Sequence, residues 1–562
     1  MTHQEIQKKF LEFFKSKGHK VVPSSSLLSS DQSVLFTTAG MQQFKEYYTN
    51  PENAPAQNIV SIQKCLRTSD IDEVGDESHL TFFEMLGNFS FGGYWKKEAI
   101  ELSLTFLTDK ESGMGIDFSR VSTTYCDDAP FYRDLESKSI LKNNSFSQNN
   151  IRPGTKGDNF WGPTGNEGPC GPTVEFYVDG IEVWNVVFNE YYYSGTREQL
   201  LSSKNHGADL KPLSILGIDT GMGLERLAMV SQNKNNIFET DLFQPFQLIL
   251  RGGEEDIKSG RIIADHIRGA IFLVLDGFIP SNKEQGYILR RLIRRAMVHA
   301  NKAELKDNIL LLSNDLLMKL INNTIDLYHE SYPELVSKKE GILYILEKEM
   351  NNFGNTLRKG LREFHRRFPG MQAQRIEPGI KIEPFIIGQK IGREAFDIYQ
   401  SYGFPIEVIK ELLEDRWYKF DEEGFQQTIE EEKKRHQEIS RAGVEKKFGG
   451  HGIKEGDLTA ENVEEMKKKT RLHTATHVIV AALQQVLGQK LPQAGSDITV
   501  DRLRFDFTFP RKVTEEELRE GERITNDIVE KDLPVTSEEM DLHVALDSGA
   551  AARLRHHLRS DR

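Results

Sequence analysis

The residues best placed to handle an anion lie in two short windows. The first runs from Gln63-Lys64-Cys65-Leu66-Arg67 through a polar, acidic loop ending in His79. It continues into Thr81-Phe82-Phe83-Glu84-Met85-Leu86-Gly87-Asn88-Phe89-Ser90-Phe91-Gly92, an apolar strand that carries a single carboxylate. Two paired strands flanking that loop would let Arg67 and His79 point at an anion held between them. The guanidinium is planar, stays protonated and binds phosphate through two parallel hydrogen bonds. The second window is Asp219-Thr220-Gly221-Met222-Gly223-Leu224-Glu225-Arg226, which opens on a carboxylate and closes on an arginine. Taken alone, Gly221-x-Gly223 reads as a tight turn before a helix. Phe82 and Phe83 read as core, with one of them expected to be only that.

Together the two windows resemble the nucleotide site of the class II aminoacyl-tRNA synthetases, and within them the alanyl-tRNA synthetases. The resemblance runs over residues 5–245 and returns over 255–300 and 390–445. It implies an ATP-dependent ligase that joins L-alanine to AMP, releases pyrophosphate and passes the alanyl group to tRNA(Ala). Two anions must meet in the first step, so fixed positive charge is needed where charge builds up. The resemblance assigns Arg67 to the α-phosphate and Arg226 to the adenine face and γ-phosphate, as the two catalytic arginines. It places His79 at the outer phosphates, Phe83 on the other adenine face, Glu84 nearby and Gly223 in the turn, with Mg²⁺ bridging the phosphates. For alanine it assigns Asp219 to the ammonium group, Trp161 to the pocket wall, Asn185 as a polar ligand and Gly221 as the residue that leaves room. Without the resemblance, Trp161 reads equally as core and Asn185 as a turn cap. Such a small pocket rejects glycine or serine by only about 10- to 200-fold, so hydrolytic editing is expected in this position.

Tyr287-Ile288-Leu289-Arg290-Arg291-Leu292-Ile293-Arg294-Arg295-Ala296 has the period of an amphipathic helix. Arg290, Arg291, Arg294 and Arg295 fall on one side, apolar residues on the other. Such a face suits a phosphate backbone, and it suits salt bridges to acidic neighbours equally well. By resemblance, Asn301 reads the third base pair of the acceptor stem, and its usual partner is an aspartate in a Tyr-Asp-x-Tyr-Gly-Phe-Pro segment. Here the segment is Tyr399-Gln400-Ser401-Tyr402-Gly403-Phe404-Pro405. Gln400 retains hydrogen bonding without the charge, so an altered base-pair preference is expected.

His473-Thr474-Ala475-Thr476-His477 sets two imidazoles at i and i+4, a spacing that can chelate Zn²⁺. It resembles the first half of the family's editing site. The second half should be Cys-x-x-x-His, yet no cysteine follows Cys170 and the later histidines are His543, His556 and His557. The editing domain therefore reads as truncated and zinc as possible at an incomplete site. Three readings stay open: a cut or mis-assembled product, a short form whose editing is supplied by a separate factor, or a relic with packed histidines.

The elements needed to position these groups are legible at low resolution. At 562 residues the chain has room for about three or four cores. Strand signals at 33–38, 81–91, 174–178 and 183–189, with helices around them, give an α+β domain on a mainly antiparallel sheet over 1–245. Helical periodicity follows over 246–445, including Ile262–Leu275, Tyr287–Asn301, Ile309–Tyr328, Ile342–Phe364 and a charge-laced solvated helix near 423–440. A linker is expected over 446–470. A partial α/β editing domain is expected over 471–562, with a helix at His473–Leu487 and a strand alternating at Leu503, Phe505, Phe507 and Phe509. The Arg-rich helix belongs to the helical tRNA-recognition region. Net charge of 72 − 85 = −13 argues against nucleic-acid binding only in bulk, since a local basic face can dominate. Three scattered cysteines suit a reducing cytoplasm rather than a disulfide framework. No apolar run reaches the roughly 18 residues of a membrane span, and Met1–Lys20 reads as a core-facing helix rather than a signal peptide. A monomer is the default expectation.

Overall fold

The computed structural model describes residues 1–562 except 32, 203–206, 303–313, 369–383, 415–420, 448–462, 490, 492, 499–501, 508, 510, 512 and 532–562. The chain forms two compact units, Met1–Asp421 and Glu422–Arg562. The first is built on a ten-stranded sheet: β1 (Lys20–Val21), β2 (Asn58–Leu66), β3 (Phe82–Phe91), β4 (Val121–Asp128), β5 (Tyr132–Arg133), β6 (Ile151–Gly154), β7 (Phe160–Trp161), β8 (Gly168–Val178), β9 (Ile181–Tyr193) and β10 (Lys211–Gly223). Their spatial order is β1-β2-β3-β10-β9-β8-β4-β5, with β6 on β4 and β7 on β8. Every pairing is antiparallel except β1 with β2 and β4 with β6.

Alternation along the central strands separates a packed back face from an open front face. Leu86, Ile218, Met222, Trp184 and Phe188 are fully buried at the back. There the first helix, His3–Ser16, lays down Ile6, Phe10, Phe13 and Phe14 at helical spacing. Trp184 meets Phe10, Phe14 and Phe106 at ring-centroid distances of 6.1, 6.2 and 5.7 Å, in edge-on geometry. The helix starts where Thr2 and Glu5 form a reciprocal capping box. Meanwhile Phe83, Met85, Asp219, Gly221, Asn185 and Val187 lie on the front.

One expected strand is absent. Residues 33–36 form a turn and bends and 37–38 are irregular, and the Asp31 carboxylate captures the Ser33 amide at 2.9 Å and the Ser33 hydroxyl at 2.6 Å. A side chain that bonds its own neighbouring backbone in this way competes with a ladder. Three helices run longer than periodicity marks them, Glu254–Leu275, Glu284–Lys302 and Glu334–Arg367, and a fourth is Asn314–Tyr328, the expected 309–313 lying outside the described residues. All four belong to the first unit, together with Pro384–Tyr402 and Ile406–Glu414.

The second unit contains the helices Glu422–Lys447, Val463–Leu487 and Glu515–Glu530 and the antiparallel pair β11 (Gln493–Ile498) and β12 (Leu503–Phe507). The helix bearing His473 thus begins at Val463, inside the expected linker, whose middle lies outside the described residues. Phe509 falls beyond the end of β12.

Candidate active site

A cavity of about 340 Å³ opens on the front of the sheet. Its floor comes from alternate residues of four adjacent strands: Phe83 and Met85 of β3, Asp219, Gly221 and Gly223 of β10, Val183, Asn185 and Val187 of β9, and Glu175 of β8. Register fixes this set. Gly223 pairs with Met85, Gly221 with Asn185, Asp219 with Val187, and Asn185 with Glu175. A slip of one residue in any strand would turn its contribution to the packed face.

Around the rim stand three arginines and one histidine. Arg67 leaves the end of β2, donates Nε to the Thr38 carbonyl at 3.3 Å and stacks over Phe83 at 4.9 Å. Arg226 sits in the first turn of the helix Leu224–Ser231 and pairs with Glu182 at 3.2 Å. Arg197 lies over the Trp161 ring at 4.9 Å and donates to the carbonyls of Phe160 and Gly157 at 2.6 and 3.1 Å. Burial pulls the Arg197 guanidinium below its ordinary pKa. His79, on the loop between β2 and β3, is held between Asp76 and Glu73.

The floor is acidic where it is deepest. Asp219 is 5 % exposed, and its carboxylate meets no cation and accepts no hydrogen bond among the described residues. Burial pushes its pKa up to about 7. A buried carboxylate without a partner is costly unless a ligand supplies the positive charge. Beside it, the Asn185 amide donates Nδ2 to Glu175 at 3.0 Å, while the Asn185 Oδ1 is buried without a partner. Asp219 and Asn185 sit diagonally across adjacent strands, about 7–8 Å apart at their Cα atoms by sheet geometry. A small ammonium group between them would have an acceptor on each side.

Of the residues singled out in sequence, Arg67, His79, Phe83, Trp161, Asn185, Asp219, Gly221, Gly223 and Arg226 all line this one cavity. Phe82 is the core member of its pair, stacked on Phe272 at 4.2 Å and 9°. Glu84 is a correction. It points to the back of the sheet, fully buried, where it accepts from Gln7 and Tyr332 at 2.7 Å each. Strand alternation puts it on the opposite face from Phe83, so it cannot touch a nucleotide that Phe83 touches. Its carboxyl is pushed up to about 7 by burial and by the Glu225 charge.

Residues 5–498 match the family tRNA synthetases class II (A). Two similar proteins are the alanine–tRNA ligase of Borrelia hermsii, 36 % identical, and that of Treponema denticola, 38 % identical. Each alignment covers 98 % of this chain and 90 % of the relative. The chain belongs to the alanine–tRNA ligase family. The family's relative in Rubrobacter xylanophilus is 32 % identical, with 92 % of this chain aligned to 69 % of that protein. Family membership fits an α+β class II catalytic unit on an antiparallel-dominated sheet.

The arginine-rich helix of this ligase does not present a free cationic face. Arg291 and Arg295 are only 8 % and 2 % exposed. Arg290 and Arg294 pair with Glu349 at 3.1 and 2.8 Å, Arg291 with Asp72 at 2.6 Å and Arg295 with Glu411 at 3.1 Å. The salt-bridge alternative therefore describes this helix in the structure. Asn301 lies in its last turn, and Gln400 is exposed near the end of the helix Pro384–Tyr402. His473 and His477 stack with ring centroids 5.0 Å apart. Among the described residues, no group of three His, Cys, Asp or Glu side chains could hold a metal ion, and His543, His556 and His557 lie outside them.

Sequence reasoning passed over Met85, Glu175, Glu182, Val187 and Arg197, all of which line the cavity. For Met85 and Val187 a signal existed: each lies two residues from a selected one, on the same strand face. Glu175 and Arg197 carried no such signal, because only tertiary pairing brings them in. Among the described residues no helix is long and apolar enough to cross a membrane.

Proposed function

We propose that this ligase activates L-alanine with ATP to form alanyl-adenylate and then transfers the alanyl group to tRNA(Ala). The observation that carries this reading is the unpartnered Asp219 carboxylate beside the unpartnered Asn185 Oδ1, under a rim of Arg67, Arg197 and Arg226. A deep anionic seat takes the ammonium group, and the cationic rim takes carboxylate and phosphates. Met85, Val187 and Trp161 bound the small space left for a methyl. Arg67 neutralises the α-phosphate as the alanine carboxylate attacks it, and phosphorus passes from pyrophosphate to the carboxylate oxygen. Arg226, released from Glu182, and His79 serve the outer phosphates, with Phe83 against adenine. Asp70 and Glu182 on the cavity wall are the carboxylates that would hold Mg²⁺ on the triphosphate, where the ion would offset phosphate charge.

For tRNA, Asn301 and Gln400 remain the proposed acceptor-stem readers, with a base-pair preference altered by the missing charge. The four arginines serve this step through the architecture they hold. The proposed functional division is 1–245 for adenylation, 246–445 for acceptor-stem recognition and 471–562 for the editing segment after a linker at 446–470. Among the described residues the two imidazoles meet no third metal ligand, which does not fit a closed zinc site. Weak or absent hydrolysis of seryl-tRNA(Ala) is therefore expected, with editing by a separate factor one of the three readings that stay open. The protein works in the cytoplasm.

Alanine-dependent ATP–pyrophosphate exchange, run beside charging of tRNA(Ala), tests the main reading. Exchange with alanine and none with larger amino acids is expected. Absence of exchange in folded protein would overturn it.

A further inference from the structure

The loop between β2 and β3 has two sides, and the arginine-rich helix grips one of them. Asp70, Ser78, His79 and Leu80 line the cavity. Ile71 and Val74, between them, are fully buried on the other side. There the Arg291 Nη2 donates to the Asp72 carboxylate at 2.6 Å, and the Arg295 Nη1 donates to the Ile71 carbonyl at 2.7 Å. The neighbouring helix Glu254–Leu275 closes the grip. Arg261 donates to the Gly75 carbonyl at 3.2 Å, and the Asp265 carboxylate accepts the Thr81 amide at 2.8 Å. Gly75 has φ +129°, and a Cβ there would lie 2.8 Å from the Lys258 side chain, so the loop's turn is pressed against this helix.

These anchors are wired to each other. Arg295 Nη1 also contacts the His266 Nε2 at 2.9 Å, and the His266 Nδ1 meets Asp265 at 2.8 Å. A guanidinium can only donate, so Nε2 must accept and the ring must be neutral with its proton on Nδ1. Burial lowers the His266 pKa and favours that neutral form. Asp265, His266 and Arg295 thus form one buried chain from the loop's exit at Thr81 to its entry at Ile71. It brackets Ser78, His79 and Leu80, with Asp70 one residue before its entry and Arg67 at the end of β2 just beyond.

We infer that Arg291 and Arg295 are positioning residues for ATP: the arginine-rich helix clamps the 68–81 loop from behind so that Arg67 and His79 are held at the phosphates. The inference rests on the ATP-site reading above. Its physical basis is that a displacement of about 1 Å in a positioning group can cost up to roughly 100-fold in rate. The loop's ends close on each other where the Arg67 amide meets the Thr81 carbonyl at 2.9 Å, and the Glu77 carbonyl accepts the Ile237 amide at 3.3 Å. Its side-chain anchors, however, come from the two helices, so loosening the helix loosens the phosphate site first. Alanine sits on the sheet floor, where the clamp's reach ends at the Phe82 amide, 3.4 Å from Asp265 at the very start of β3.

Arg295 is too deeply buried for a clean test, so Asp72 and Arg291 carry it. Asp72→Asn, Arg291→Gln, their double variant and the exchanged pair Asp72→Arg with Arg291→Glu are made in the full chain. Each is assayed by ATP–pyrophosphate exchange and by calorimetric titration with ATP and Mg²⁺. Either single variant should raise the KM for ATP and weaken ATP binding by about tenfold, with the KM for alanine within about twofold of the parent. The double variant should be no worse than the singles, and the exchanged pair should recover part of the loss. Unchanged ATP binding in both singles overturns the clamp, as does a parallel rise in the KM values for ATP and alanine. If the parent binds ATP but shows no alanine-dependent exchange, the functional reading fails while the titrations still decide the clamp. A parent that binds no ATP overturns both.

Discussion

The Asn185 amide donates Nδ2 to Glu175 Oε1 at 3.0 Å across a register pair of β9 and β8. Burial pushes the Glu175 carboxyl up to about 7, and in its ionised form it can only accept, which sets the way the amide faces. It leaves Oδ1 as the end available to a ligand. Thr124 and Tyr177 donate to the second Glu175 oxygen at 3.2 and 2.6 Å, so the carboxylate is itself held. In Glu175→Gln the side-chain amide can present NH₂ to Asn185 and let that amide turn over. The KM for alanine should rise about three- to tenfold, in keeping with one lost hydrogen bond, with the KM for ATP unchanged. Steady-state exchange kinetics with each substrate varied in turn measure this.

Asp219 gives a pH signature. Burial raises its pKa to about 7 in the free protein, so the carboxylate protonates as pH falls through that value. An ammonium ligand needs the ionised form. The kcat/KM for alanine should therefore fall tenfold per pH unit below about 7, while the acid limb of kcat lies lower because the bound ammonium favours ionisation. Asp219→Asn should remove the limb and reduce kcat/KM for alanine by about 100-fold or more, the scale expected for losing one partner of a buried charge pair. A pH profile of exchange from 5.5 to 8.5 checks both.

Gly221 is small for a packing reason. Its backbone has no special conformation, yet a Cβ there would lie 2.9 Å from the Met85 Sδ. Gly221→Ala should fold normally and push Met85 into the space beside the methyl pocket. We expect the KM for alanine to rise about tenfold, within the cost of overpacking a tight site. Glycine activation should lose less, since glycine needs no methyl space. Comparing exchange with the two amino acids checks the steric origin.

Glu84 bears on stability. Its folded pKa is raised from 4.5 to about 7, by burial first and the Glu225 charge second. A raised pKa means stability that is complete below 4.5 and lost as pH climbs through about 7. Glu84→Gln keeps an oxygen for Gln7 and Tyr332 and gives the unpartnered Oε2 position a donor toward Glu225. The variant should match the parent near pH 4.5 and exceed it above pH 7 by on the order of 1–3 kcal/mol. Thermal unfolding at the two pH values measures the crossover.

Residue type let Arg67 and His79 face one anion, the family resemblance brought Phe83, Asp219, Gly221 and Arg226 to the same site, and the cavity they share came with the structure. Strand period already contained the fate of Glu84: one residue from Phe83, it had to face the other way. The stretch 33–38 was misread because β-propensity says nothing of the Asp31 carboxylate that intercepts the backbone. The arginine face shows the wider limit. Periodicity put four guanidinium groups on one side of a helix and could not say what lay opposite. Asp72, Glu349 and Glu411 lie far from that helix in sequence, and only folding brought them within 2.6–3.1 Å. Amino-acid types and local spacing therefore determined which elements form and which side chains share a strand face, since those depend on single strands and helices, while the reaction was read from the resemblance to a family. Tertiary structure alone decided which charges remain for substrate and which are spent holding the protein together, because an ion pair is a relation in space between residues the sequence keeps apart.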